Sequence, residues 1–536
     1  IDLTCEGFCI GTVKYSITSS SSSSLLFLSN NNKENNNNVK KKISFELRPS
    51  IGHIPAEDWN LCLTEESSPF LQHSWLSCLE KSGCASPETG WTAQPLVLQI
   101  DGITRGYVPL YIKTHSMGEF IFDSSWADAA YQLGIQYYPK LLVAVPFTPV
   151  TGQRILLHPH VWETFPEEEI SQIRRAVANF LLQLAESNHL SSVHINFLTD
   201  AEATALSTSL LPLSTMTSSN NKPNSLEEPP ESNLSKHVKD ILSRVSAKRG
   251  TRFLRRTSLQ YHWTNENPNN DGKPYSSFDE YLLCFKSKRR IKIKRERRAV
   301  LEDSDVQIDI IVGTDILKYP GLVERMFELY LSTVDKMIWG RQYLTMEFFQ
   351  HLANSTFLQN LCFLCARKKS TGKSLVNADD AAAADTTFPR SSSSSTMNNE
   401  SNNHILHAED VFAGTINIVH NGVFYGRYWG CLPGREVKNL HFEICYWSAI
   451  EFCIQHNMQR MEPGAGGGDY KWTRGFDPTV IHSTHYICNP GLRRAVCQFL
   501  EYETENNVEL QEYLNAKRSI TYKEREQSQY TDFKRN

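Results

Sequence analysis

Residues 411–430 read Val411-Phe-Ala-Gly-Thr-Ile-Asn-Ile-Val419, His420-Asn421-Gly422, Val423-Phe-Tyr-Gly-Arg-Tyr-Trp-Gly430. β-Branched and aromatic residues fill both runs, and the Asn-Gly pair between them tolerates the positive φ angles that a tight hairpin turn needs. An apolar helical pattern follows from Leu440 to Asn457, then a strand pattern from Met458 to Glu462. Upstream, strand Gln307 to Val312, helices Gly321 to Lys336 and Thr345 to Asn354, and strand Leu361 to Ala366 lead into this hairpin. The first part of the chain repeats the order. Leu96 to Ile100 and Tyr107 to Ile112 flank an Asp101-Gly102 turn, Glu167 to Asn188 carries the apolar stripe Ile170, Ile173, Val177, Leu181 and Leu184, and Val193 to Phe197 reads as a strand. Hairpin, helix and strand twice over predict an α/β fold with mixed sheets built from two related units.

Composition sets the outer limits. The chain has 536 residues, 40% hydrophobic and 11% aromatic, with a net charge of −4, as expected of a globular protein without a global signal for duplex DNA. No apolar run is long enough for a membrane span. The chain opens on Ile1 rather than Met, which suggests a fragment or a processed product. Residues 1–43 are rich in Ser and Asn and poor in acids, with six consecutive serines at Ser19–Ser24, and resemble an organelle transit segment, with a plastid as the expected location and the cytoplasm as the alternative. The pattern divides the chain into a first unit at 44–206, a low-complexity insert at 207–250, a second unit at 251–505 with a Ser- and Ala-rich insert at 370–409, and a charged tail at 506–536.

Chemistry concentrates after the last predicted strand, where Glu462-Pro-Gly464-Ala-Gly466-Gly467-Gly468-Asp-Tyr-Lys471-Trp-Thr-Arg474 holds four glycines within five positions. Such a run suggests backbone at positive φ or a close approach to a ligand. Lys471 and Arg474, three residues apart, set two cations on one side of a helical turn. Free N–H groups beside paired cations suit a phosphate, a carboxylate or a developing oxyanion, and a solvated surface turn is the plain alternative.

Three other stretches stand out. Lys286 to Arg298 holds nine Lys or Arg and one acid, Glu296, which attracts polyanions such as tRNA or forms an ordinary solvated helix face. Residues 118–158 alternate aromatics, prolines and isolated charges, including Trp126, Asp128, Tyr137, Tyr138, Lys140, Thr148 and Thr151, in the manner of a small-ligand cleft or of a proline-bounded strand. The pairs His482/His485 and Cys362/Cys365 lack a second pair at zinc-site spacing, so no metal site is expected.

Taken together, Trp126 to Arg154, Gln260-Tyr-His-Trp-Thr-Asn265, Lys288 to Arg298, Gly426-Arg-Tyr-Trp-Gly-Cys431, Glu462 to Phe476 and His482 to His485 resemble, in order, the FemAB-like predicted N-acyltransferases of the GNAT (Gcn-five-related acetyltransferase) superfamily. The resemblance implies two tandem GNAT-like domains and direct attack of an amine on an activated acyl group, with acyl-CoA or aminoacyl-tRNA as donor and no tightly bound cofactor. The family's glycine loop continues Gly-Glu-His-Lys, whereas this one continues Gly468-Asp469-Tyr470-Lys471. A base must take the proton of the small-molecule or peptide amine, for which Glu462 and His485 are candidates; Lys471, Arg474 and the loop N–H groups are candidate oxyanion donors. Arg427, Tyr428, Gly464, Gly466 and Gly467 are expected to bind substrate, and the helix starting near Asn439 to receive donor phosphate. The competing reading is a non-catalytic GNAT-fold module that binds glycan, peptide or RNA.

Overall fold

The computed structural model describes residues 26–28, 41–207, 253–336, 341–369, 406–466 and 468–516. Gly467, the transit-like segment apart from 26–28 and 41–43, the insert 208–250, most of the insert 370–409 and the end of the charged tail lie outside them.

Among the described residues sixteen strands form two sheets. β1 (Leu26–Leu28), β2 (Lys41–Leu47), β4 (Leu96–Ile100), β5 (Ile103–Val108) and β8 (Leu156–Leu157) make the smaller. The larger contains β3 (Trp91–Ala93), β6 (Leu110–Lys113), β7 (Lys140–Val143), β9 (Ser192–Leu198), β10 (Leu254–Thr264), β11 (Val306–Val312), β12 (Leu361–Lys368), β13 (Ala413–His420), β14 (Val423–Cys431), β15 (Arg460–Glu462) and β16 (Asp477–Ile487). Its order is β11-β12-β13-β14-β15-β10-β16-β9-β7-β6-β3, so a single mixed sheet runs through both parts of the chain. The expected α/β class with mixed sheets is the one observed.

Each part contains a strand, a helix and a second strand parallel to the first. β7 is followed by the helix Glu167–Ser187 and pairs in parallel with β9; β14 is followed by the helical stretch Leu440–Gln455 and pairs in parallel with β15. Three glutamates in the first turn favour Glu167–Ser187 through the helix dipole, and its stripe packs on Leu141, Val143, Val193 and Ile195. Leu440–Gln455 packs on Leu364, Phe424 and Met461, and its middle turn, Glu443–Trp447, is a π-helix. A third apolar cluster joins the two parts, with Phe70 against Tyr425 at 5.3 Å and Trp75 against Phe348 at 5.2 Å between ring centroids.

Two readings are corrected. The run Tyr107 to Ile112 is not one hairpin arm: β5 ends at Val108, Pro109 supplies no N–H for a ladder, and Leu110 onward continues in the other sheet as β6. Residues 506–516, read as tail, belong to the long helix Pro490–Ala516. Among the described residues no helix is long and apolar enough to cross a membrane.

Candidate functional site

The large sheet forks at Glu462. Up to there β15 lies between β14 and β10, with Tyr425 opposite Glu462 on one side and Trp263 opposite Met461 on the other. The chain then departs through Pro463, and Gly464 and Gly466 take φ of 85° and 76°, where a side chain is strained. A Cβ on Gly468 would lie 2.9 Å from the Tyr261 hydroxyl oxygen, so the short helix Gly468–Trp472 packs closely on β10, and a larger residue there would displace the Tyr261 ring.

Lys471, Glu462 and His262 gather here, with Arg474 in the turn that follows. Lys471 is 2% exposed, and its Nζ donates to Gly464 O at 2.5 Å and more weakly to Ala465 O at 3.4 Å, which tightens the loop and leaves one N–H without a partner among the described residues. Burial pulls its ammonium down to about 8. Arg474 lies over the Phe442 ring at 3.8 Å and donates to Tyr470 O at 2.7 Å; its Nε has no partner among the described residues, and burial, with Arg289 nearby, lowers it to about 10. Glu462, also buried, receives Arg460 Nη2 at 2.9 Å on one oxygen and faces His262 Nε2 at 3.9 Å with the other.

His262 is the site residue that sequence reasoning missed, although it lies inside the quoted stretch Gln260 to Asn265. Gln260 Nε2 donates to Pro149 O at 3.0 Å, which turns its Oε1 toward His262 Nε2 at 3.3 Å. An amide oxygen only accepts, so Nε2 carries the proton in the neutral ring and Nδ1 keeps the lone pair. Burial holds the imidazole below its ordinary value, with Glu462 acting against that and Arg460 and Lys471 adding to it. The result is a neutral base at pH 7 with a carboxylate placed to stabilise its protonated form.

The first part of the chain closes over the fork. Arg427 Nη2 donates to Phe147 O at 2.5 Å from the β14 side, as Gln260 does to Pro149 O from the β10 side. Thr148, between these two contacts, donates to Pro146 O at 2.9 Å, Thr151 Oγ1 is buried without a partner among the described residues, and Tyr428 packs on Tyr330.

The remaining candidates gather elsewhere. Lys140 is fully buried and bridges Asp123 at 2.6 Å and Glu119 at 3.0 Å; Tyr137 donates to Asp123 at 2.8 Å, and Tyr138 pairs with Ser116 at 2.8 Å. Trp126 stands edge-on to His485 at 5.0 Å, while Asp128 is exposed. His485 is therefore corrected as a base for the loop. It pairs with Leu254 at one end of β10, whereas Met461 pairs with Trp263 at the other, which on strand geometry separates them by roughly 30 Å. Its ring is buried against His194, Nδ1 to Nδ1 at 2.7 Å, with Ser483 on the other nitrogen at 2.8 Å.

The basic run forms the helix Ser287–Arg298, and part of its charge is committed: Arg297 to Glu443 and Glu451 at 3.0 and 2.6 Å, Lys294 to Asp279 at 3.0 Å, and Lys292 to Glu296 at 3.7 Å. Lys288, Arg290, Arg295 and Arg298 make no ion pair among the described residues. His482 lies by Arg255 and Asp200, and the described residues contain no group of three His, Cys, Asp or Glu side chains able to hold a metal.

A family model described as FemAB-like, peptidoglycan biosynthesis/recognition, matches residues 50–221, 235–391 and 394–524. The chain belongs to the FemAB-like family. Among solved structures it is similar to FemX at 9% identity, covering 83% of this chain and 99% of FemX with a TM-score of 0.38. L-PGS from Bacillus licheniformis is similar at 6% identity over 79% of this chain and 95% of its own, TM-score 0.35. A tandem GNAT protein from the clavulanic acid biosynthesis pathway matches at 9% identity over 84% and 99%, TM-score 0.33. No curated protein matches the sequence. In this FemAB-like chain the family match takes in both the fork and the Lys140 cluster.

Proposed function

We propose that this FemAB-like protein is an N-acyltransferase that moves an acyl or aminoacyl group from an activated donor to an amine, with the fork at Glu462 as the transfer centre. The observation that carries the reading is the meeting of His262 and Glu462, 3.9 Å apart and both buried, with the buried Lys471 near enough to depress the His262 imidazole, from distant parts of the sequence. The acceptor ammonium loses a proton to His262 Nδ1, and its nitrogen attacks the acyl carbon. The carbonyl oxygen gains charge and is met by the remaining N–H of Lys471. Collapse breaks the bond to the donor's leaving oxygen or sulfur, which takes the proton back from His262. The freed His262 then takes the second proton from the nitrogen and passes it to solvent, leaving the neutral amide.

The uncommitted cations of Ser287–Arg298 favour a donor with an extended phosphate backbone, aminoacyl-tRNA, over acyl-CoA. Mass spectrometry of the purified chain mixed in turn with aminoacyl-tRNA and acyl-CoA tests this. Retention of tRNA is expected, retention of acyl-CoA alone reassigns the donor, and retention of neither contradicts the reading.

A further inference from the structure

The molecule has a second recess, a cavity of about 470 Å³, between the segment His115–Asp128 and Tyr343. That is ample for a small-molecule end group. Phe120, Phe122, Tyr138 and Tyr343 provide aromatic walls, with Phe122 74% exposed at the rim.

The charges around it are distributed unequally. Lys140 lies beneath, but its ammonium is enclosed by Asp123, Glu119 and the Ser116 hydroxyl, so the cation is balanced where it stands. His115 is kept neutral, since burial, with Lys113 and Arg341 adding to it, lowers it to about 4. Lys113 is buried over the Trp91 ring and does not reach the recess. Asp128 remains: it lines the cavity, is exposed, and makes no hydrogen bond or ion pair among the described residues. Aromatic faces with one free carboxylate are suited to an alkylammonium, which gains from the ring quadrupoles as well as from the charge.

A smaller cavity of about 240 Å³ shares His115, Met117 and Tyr343 with the first and continues to Phe147, with Glu88 and Arg341 also on its wall. Phe147 is the residue whose carbonyl Arg427 holds at the fork. We propose that the larger cavity binds a primary alkylammonium ligand, held by Asp128 and the aromatic walls. This binding does not depend on the transferase reading of the fork.

The test uses the full chain and a probe of that class. Calorimetric titration with 1,5-diaminopentane is expected to give saturable binding that weakens at least about fivefold in Asp128→Asn, the scale of one exposed ion pair, and again in Phe122→Ala. Pentane-1,5-diol, of the same length without charge, is expected not to bind. Lys471→Met is expected to bind the diamine as the parent does, so loss of transfer chemistry and loss of this site are read separately. Absence of diamine binding, equal affinity for the diol, or unchanged affinity in both Asp128→Asn and Phe122→Ala would overturn the proposal.

Discussion

At the scale of single residues, two buried titrating groups should define the chemistry. His262 is depressed and must be neutral to accept a proton, so turnover should fall as pH drops through a value under 6.5. Lys471 must be protonated to donate, so turnover should also fall above about 8. A bell between those limits is expected in the pH dependence of kcat, and His262→Asn should lower the whole curve by roughly 100-fold or more. Lys471 also links stability to pH. Its folded value of about 8 lies below the unfolded 10.5, so between them the unfolded chain binds more protons and stability rises with pH. Relative to Lys471→Met, which lacks this term, the parent should therefore gain up to about 3 kcal/mol between pH 8 and 10.5 in parallel denaturation curves. Lys471 was legible because four glycines mark its loop; His262 was not, since its partners Glu462 and Gln260 come together only when β10 and β15 pair.

At the scale of elements, the close approach of the helix Leu322–Val334 to β14 fixes one side of the fork. Beyond the end of β15, Thr333 Oγ1 donates to Trp429 O at 2.5 Å and Cys431 N–H donates to Ser332 Oγ at 3.1 Å, so helix hydroxyls take over from the missing strand. This depends on Gly430, where a Cβ would stand 1.8 Å from Leu329 O. Gly430→Ala should cost at least about 3 kcal/mol in urea denaturation, whereas Gly434→Ala, strained only by its φ of 75° with no atom within 4 Å, should cost roughly 1. On the basic helix, changing Lys288, Arg290, Arg295 and Arg298 to Gln should reduce the slope of log affinity for tRNA against log salt by up to about 3. Helices and apolar strands were readable from periodicity: Glu167–Ser187 was expected to within one residue of its end. β10 and β16 were not, because one face of each carries buried polar side chains such as Arg256, Gln260, His262, Ser483 and His485, and this hides the alternation that marks a strand.

At the scale of the molecule, those two strands unite the halves. β16 comes from the end of the chain and pairs with β10 on one side and with β9 of the first part on the other. One cooperative calorimetric transition is expected, and residues 41–207 expressed alone should aggregate through the bared edge of β9. Because Phe147 and Pro149 of the first part contact both arms of the fork, the proposed transfer centre is incomplete in either half. The most direct measurement follows labelled acyl groups from donor to acid-stable amide, using aminoacyl-tRNA and a primary alkylamine with the intact chain and with Lys471→Met. Transfer by the intact chain, lowered roughly 100-fold in the variant with tRNA affinity unchanged, is the predicted result. Equal transfer by both proteins, with the fold preserved, would contradict the assignment of chemistry to the fork.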